Sequence, residues 1–429
     1  MSLSSVLLLA AGCDFYPEAL DDSGAGLVDG ACSPVVYIPT GGLPDADDDV
    51  LADAHTAGGA ALQPLWPRIQ WPDSDPSNSV ALLWNTKVSD SADSLSSIVE
   101  IGPADGFPDN AQRVEGYSFL FGGGEVGSGP YRVHEVRLCG TLTPDTTYSY
   151  RVGGEGAWSD THTFSTPGAP GTFDTYRVAI AGDSRGAYTT WSQIISKMDT
   201  YEPDFIMFSG DMVEFGSSQS EWEAWLGASG DVLARRPFVA AHGNHEFLAQ
   251  NYFAQFAFPG NEQWFSVQYG DLLLLSLNDT VRDNNELLSE QPQFLESVLS
   301  QTTARWKIAM HHQPAYSTCT RHGSDMEVRK AWVPVFERYG VNAVFAGHNH
   351  IYERSEPILE DASDPRGVTY IVTGGAGAPL YAESKADWFS EVANPTEHFI
   401  IAEFSAGSAT FVVRDLSDNI IDEFTLTAD

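Results

Sequence analysis

Two histidines two positions apart, His348 and His350, stand in AGHNHIYERSEP (346 to 357), directly after the apolar run at 343 to 346. Four earlier segments set Asp, Asn or His at the same kind of position: AGDSR (181 to 185), SGDMVEF (209 to 215), HGNHEF (242 to 247) and MHHQPAYS (310 to 317). Mixed imidazole and oxygen donors suit Zn, Mn or Fe better than Mg or Ca. Two such cations about 3.5 to 4 Å apart clamp a phosphate, generate a hydroxide at neutral pH and stabilise both the entering and the leaving oxygen. The five segments together read as a two-metal site for phosphoester chemistry.

Such a site needs one short acidic bridge and several neutral ligands. Asp211 is the natural bridge, because Gly210 before it lets the strand turn sharply. Asp183 would hold one ion, with His350 completing that side. The second ion would take Asn244 through its amide oxygen, a histidine from the 311 and 312 pair, and His348. His245, between Asn244 and Glu246, suits a general acid for the leaving alcohol, with the Glu246 carboxylate orienting its ring. Arg185 cannot bind a cation, being permanently charged. It either grips a substrate phosphate bidentately or pairs with an acid such as Glu214. His322, in the loop STCTRHGSD, is a further candidate for substrate contact.

Strands must carry these residues. From Thr175 onward, YRVAIAG, DFIMFSG, PFVAAHG, RWKIAMH and NAVFAGH are short β-branched or aromatic runs, with helical patterns near 190 to 199, 290 to 300 and 327 to 339. Each metal-type residue falls at the carboxyl end of a run, where open α/β sheets place their ligands. The later runs TYIVTGG, HFIIAEF, ATFVVRD and IDEFTL add strands, so that residues 172 to 429 form a layered α/β unit of two sheets flanked by helices. Residues 66 to 168 differ, with short alternating runs such as SVALLWNT and TYSYRVG separated by turns, the pattern of an all-β sandwich. Its expected role is scaffolding.

A chain of 429 residues, 42% hydrophobic and 12% aromatic, is that of a folded protein. A net charge of -37 repels nucleic acid, so no nucleic-acid partner is expected. A phosphorylated small-molecule substrate must therefore be drawn by something local and positive, which bound cations provide. Residues 1 to 65 read as leader and acidic linker, with the tether-like cluster PDADDDVLADAH at 44 to 55. The apolar run Val6 to Ala11, ending in Gly12-Cys13, resembles a bacterial lipoprotein signal with Cys13 as lipid anchor; an incidental cysteine in a clipped terminus is the competing reading. The expected location is secreted, periplasmic or cell-surface. Cys32, Cys139 and Cys319 show no disulfide framework. Oligomeric state is left open.

The five segments, in order and spacing, resemble the calcineurin-like metallophosphoesterases and, within them, the purple acid phosphatase branch. GHNHIYER and the longer VRKAWVPVFERYGVNAVFAGHNH (328 to 350) carry the likeness, and LTPDTTYSYRVGGEGAWSDTHTFSTP resembles the end of a fibronectin type III-like domain. The resemblance implies a four-layer α/β/β/α metallophosphoesterase sandwich preceded by an all-β fibronectin type III-like sandwich. It implies Asp183, Asp211 and His350 on one metal, and Asp211, Asn244, His312 and His348 on the other. The family pattern of His, any residue, Pro and an aromatic two further on selects His312 and leaves His311 to face substrate. Where the family carries a metal-binding Tyr three residues after the bridging Asp, this chain has Glu214, so no tyrosinate colour is expected. The implied activity is phosphomonoester hydrolysis by a metal-bound hydroxide with His245 as acid. A phosphodiesterase or nucleotide pyrophosphatase on the same scaffold is the alternative, and a non-catalytic metal-containing surface binding protein a more distant one.

Overall fold

The computed structural model describes residues 61–88, 94–121, 131–280, 286–381 and 385–428. Cys13, the acidic cluster at 44 to 55 and His55 lie outside the described residues.

Two antiparallel sheets form the first unit. One runs in the order Leu65–Gln70, Val80–Lys87, Tyr131–Leu138 and Tyr117–Phe121; the other contains Gln112–Glu115, Ile98–Pro103, Thr147–Gly154 and Ala157–Trp158, with His162–Ser165 also paired to Thr147–Gly154. Alternation decides what lies between them: Leu82 and Trp84 from one sheet meet Val99, Ile101, Tyr148 and Tyr150 from the other. This is the expected all-β sandwich.

The second unit is built on a six-stranded and a seven-stranded sheet. The first has the order Phe238–Ala240, Phe205–Phe208, Tyr176–Ala181, His398–Phe404, Ser408–Asp415 and Ile420–Thr427; its first three strands are parallel and the rest antiparallel. The second has the order Phe265–Tyr269, Leu272–Ser276, Trp306–Met310, Ala343–Ala346, Thr369–Thr373, Tyr352–Ser355 and Ser390–Asn394, parallel from its second to its fifth strand. Period-two alternation divides the side chains between two cores. Leu272, Leu274, Ile308, Met310 and Phe345 face the six-stranded sheet. Leu273, Leu275, Ala309 and Val344 face the helices Gln291–Leu299 and Met326–Tyr339 through Leu295, Trp332 and Phe336. Helices Tyr188–Thr200 and Gln219–Ser229 cover the outer face of the six-stranded sheet with Trp191, Ile194 and Trp225. Four layers result, in the order α/β/β/α.

Helix Met326–Tyr339 shows how locally the sequence acts. Asp325 caps it by accepting the Glu327 and Val328 amides at 3.0 Å each, and Gly340 ends it at φ 63°. The two units are joined by polar contacts as well as apolar ones. Buried Arg68 donates to the Gln255 carbonyl at 2.8 Å and to Gln255 Oε1 at 2.9 Å, and Tyr150 Oη donates to the Ala234 carbonyl at 2.7 Å. A guanidinium so enclosed is tolerable only because its donors are satisfied. One expectation fails: Cys139 is disulfide-bonded, whereas Cys319 is a free, buried thiol. Widely spaced cysteines carry no pairing signal in sequence.

Candidate metal centre

Strand ends deliver the site. Asp183 follows Tyr176–Ala181, Asp211 follows Phe205–Phe208, Asn244 follows Phe238–Ala240, His312 follows Trp306–Met310, and His348 and His350 follow Ala343–Ala346. Asp183, Asp211 and His348 have left-handed φ values of 65°, 58° and 65°. Such a conformation costs about 1 to 3 kcal/mol per non-glycine residue and persists where the surroundings over-determine it. Neighbouring loops do so here. The His348 amide donates to both Asp183 carboxylate oxygens at 3.0 Å, and the His245 amide donates to Asp211 Oδ1 at 2.9 Å. Glycines permit the close approach: a Cβ on Gly243 would stand 2.3 Å from the Asp211 nitrogen, and one on Gly347 would stand 2.3 Å from Asp183 Oδ2.

Two donor clusters form, Asp211 with His312 and His348, and Asp183 with Asp211 and His350; in each the donor atoms lie within 4.8 Å of one another. Asp211 belongs to both. His312 Nε2 is 3.0 Å from Asn244 Oδ1 and 3.2 Å from Asp211 Oδ1, and His350 Nε2 is 3.5 Å from Asp183 Oδ1. Ligand atoms about 2.1 Å from a common ion are separated by about 3 to 3.4 Å, so these spacings suit coordination. Both rings are oriented for it. His312 Nδ1 donates to the Ser209 carbonyl at 2.8 Å and His350 Nδ1 to the Pro379 carbonyl at 2.7 Å, which turns each Nε2 lone pair inward.

The electrostatics are those of a cation site. Burial alone would raise the Asp211 pKa, but the charge and hydrogen bond of His312 hold it below the ordinary carboxylate range. Burial works to lower His312, yet Asp211 pushes it up to about 10. His348 is pushed down to about 2 by burial and by the neighbouring His312. Two carboxylates, one amide oxygen and three imidazoles converge, a set that fits two borderline cations and not an all-oxygen calcium cage.

His245 lies beside these clusters, with Nε2 3.9 Å from Asp211 Oδ2. Its Nδ1 donates to the Glu214 carbonyl at 2.7 Å, so a main-chain oxygen holds the ring. Glu246 does not act as expected. Its buried carboxylate faces away from the imidazole and accepts the amides of Gly243 at 2.7 Å, Met212 at 2.8 Å, Asp211 at 3.0 Å and Val213 at 3.4 Å. It ties the Asp211 loop to the Asn244 loop. His311 is also not where the sequence put it: fully buried, it donates from Nδ1 to Asp279 Oδ2 at 2.9 Å and meets Trp332 edge to face, away from any substrate. Adjacent residues at a strand end point to opposite faces, so only one of the two histidines can reach the cluster.

Arg185 forms an ion pair with Glu214, and its Nε stands 3.5 Å from Asp211 Oδ2 without a hydrogen-bond partner. Both sequence readings of Arg185 are thus sterically compatible. The His322 ring is 4.3 Å from that of His348, at the rim. His242 is no ligand: Nδ1 bonds Thr280 Oγ1 at 3.1 Å, and Nε2 accepts the Leu248 amide at 3.1 Å.

Asp279 is not among the residues expected from sequence, yet its Oδ2 accepts from His311 and from the His312 and Gln313 amides and so fixes the strand end bearing His312. The signal was present, an Asp just beyond the apolar run LLLLSL. Tyr381 was missed as well. Its ring stacks on His350 at 4.2 Å and 16°, and nothing in the segment around it marks that contact.

Known proteins resemble this chain in sequence and fold. Residues 158–352 match the calcineurin-like phosphoesterase family, and residues 65–166 match the purple acid phosphatase N-terminal domain. Acid phosphatase type 7 of Mus musculus is 30% identical over 308 residues, covering 62% of this chain and 68% of that protein. Purple acid phosphatase 15 of Arabidopsis thaliana is 29% identical over 289 residues, 57% of this chain and 53% of that one. The chain thus spans about half to two thirds of the length of such relatives. A purple acid phosphatase from yellow lupin (Lupinus luteus) seeds shares the fold, with a TM-score of 0.72, 21% identity, and coverage of 86% of this chain and 75% of that one.

Proposed function

Since this chain belongs to the purple acid phosphatase branch of the calcineurin-like phosphoesterases, we propose that it hydrolyses phosphate monoesters at a centre of two Fe, Zn or Mn ions. Asp183, Asp211 and His350 would hold one ion, and Asp211, Asn244, His312 and His348 the other. The observation that carries this reading is the sharing of Asp211 between the two donor clusters, with His245 Nε2 opening beside its carboxylate. When bound, two such ions supply Lewis-acid polarisation of the phosphoryl group and a nucleophile at neutral pH.

The chain's own residues do the rest. Because Nδ1–H of His245 is committed to the Glu214 carbonyl, the ring in its imidazolium form carries the transferable proton on Nε2, which faces the cluster where a leaving oxygen would emerge and is left as a neutral imidazole after the transfer. Arg185 has one guanidinium arm engaged by Glu214 and its Nε directed at the cluster, which suits a second negative charge on a monoester dianion. His322 extends the rim above His348. Glu214, where the family carries a metal-binding Tyr, is occupied by Arg185 and contributes its carbonyl to His245.

An exported location, with or without a lipid anchor at Cys13, is supported by the disulfide at Cys139, since such bonds persist in oxidising compartments. No helix among the described residues is long and apolar enough to cross a membrane. The test of the activity is the ratio of turnover on p-nitrophenyl phosphate to that on bis-p-nitrophenyl phosphate, with Mn, Zn and Fe each resupplied. A ratio well above one is expected. A ratio well below one would assign a phosphodiesterase.

A further inference from the structure

Large apolar side chains left exposed are few among the described residues, and two of them adjoin His245: Phe215 is 56% and Phe247 63% exposed. They stand on two loops fastened to each other. His245 Nδ1 donates to the Glu214 carbonyl at 2.7 Å, and the Gly216 amide donates to the His245 carbonyl at 2.8 Å. The approach is so close that a Cβ on Gly216 would fall 1.9 Å from the Glu246 carbonyl oxygen. Phe215 and Phe247 therefore stand on two adjoining loops at the structure that fixes the imidazole. The Phe247 ring itself lies 5.9 Å from the His245 ring, tilted by 58°.

The backbone beneath Phe247 is unfavourable. Phe247 and Leu248 take left-handed φ values of 53° and 52°, an arrangement that bulky side chains rarely adopt. It is held by the Leu248 amide donating to His242 Nε2 at 3.1 Å and by the Ala249 amide donating to the Glu246 carbonyl at 2.9 Å. A turn braced on both sides around an exposed phenyl ring is a construction that presents the ring, and strain of this kind concentrates where ligands bind. An apolar group left in water beside a reaction centre marks a contact surface for the reactant.

Resting on the phosphatase reading, we propose that Phe215 and Phe247 form an aromatic platform selecting phosphate esters whose alcohol carries a flat apolar group. The oxygen protonated by His245 belongs to the leaving alcohol, so the carbon skeleton bonded to it runs past the imidazole and onto these two rings. The phosphoryl group stays with Arg185 and the metal cluster. Reaction and specificity are thus divided between the two sides of His245.

The test compares benzylphosphonate with ethylphosphonate, which cannot be hydrolysed at their C–P bonds, by calorimetric titration of the metal-loaded full chain. The wild type is expected to bind the benzyl compound about tenfold more tightly, the scale of one well-formed aromatic contact. Phe247→Gly, which also relieves the backbone strain, and Phe215→Ser should each reduce that preference several-fold, and the double variant should abolish it. A preference absent in the wild type, or present and unmoved by both variants, would overturn the proposal. Turnover of benzyl phosphate and ethyl phosphate, measured in parallel, separates the two claims. A wild type that hydrolyses neither ester refutes the phosphatase reading, while the phosphonate ratio still decides whether the platform exists.

Discussion

Replacing Glu246 by Gln changes one oxygen for an NH2 group and little else, which makes it a sharp probe of how the metal loops are assembled. The native carboxylate accepts four amides from the two loops that carry Asp211 and Asn244. Burial and the nearby Asp211 charge push its pKa up to about 7, and the amide donors oppose this by favouring the ionised form. A Gln side chain can still accept at its one oxygen, keeping the Met212 and Val213 contacts, but its NH2 would face the amides of Asp211 and Gly243. Two bonds to a charged acceptor are lost, each worth about 1.5 to 3 kcal/mol, so E246Q should destabilise the chelator-stripped protein by about 3 to 6 kcal/mol. Urea unfolding at fixed pH 7.5, with the slope of the transition checked for constancy, reads this directly. Metal affinity should fall in the same variant, because the loops must be reordered before they bind. A loss below about 1 kcal/mol would mean instead that Glu246 is already protonated in the folded protein and that other contacts set the loops.

Other outcomes follow from the same geometry. His245→Asn should lower turnover by about 10²- to 10⁴-fold while leaving two ions bound per chain, as read by elemental analysis, because the ring donates a proton and is not counted among the metal ligands. The iron-loaded protein should show no tyrosinate charge-transfer band in its visible spectrum, since Glu214 stands where a phenolate would be required; a band of that kind would contradict the site. His398 is buried between Thr373 Oγ1 and the Thr396 carbonyl, and burial pushes its pKa down to about 4. Its stabilising contribution is therefore complete above the unfolded value near 6.5 and is lost as pH falls toward 4, about 2 kcal/mol by pH 5. The urea midpoint should drop more between pH 7 and pH 5 in the wild type than in His398→Gln, and equal drops would refute the assignment.

The ligand-bearing strand ends were legible because the chemistry is written in order along the chain: a β-branched run, a glycine in several cases, then a donor. The two sheets and their helices were legible for the related reason that alternation in runs such as LLLL and WKIAM divides residues between two cores. What could not be read were contacts made by main chain or by rotation. His245 is oriented by the carbonyl of Glu214 and not by the carboxylate next to it, and a carbonyl has no sequence signature. His311 and His312 are the same residue type, and only the alternation of the strand end sends one to Asp279 and the other to the cluster. Helix Gln219–Ser229 depends on Trp222, Trp225 and Leu226 for its buried face, too short a pattern to compete with the polar residues between them.

Whether Asp211 bridges a two-ion centre competent for phosphoester hydrolysis is read by titrating chelator-stripped protein with Mn, Zn or Fe while following p-nitrophenyl phosphate turnover. Turnover is expected to rise with loading and to reach its plateau at two ions per chain, and Asp211→Asn is expected neither to reach that stoichiometry nor to turn over. A plateau at one ion, or a chain holding two ions with no turnover for any of the three metals, would rule out such a centre.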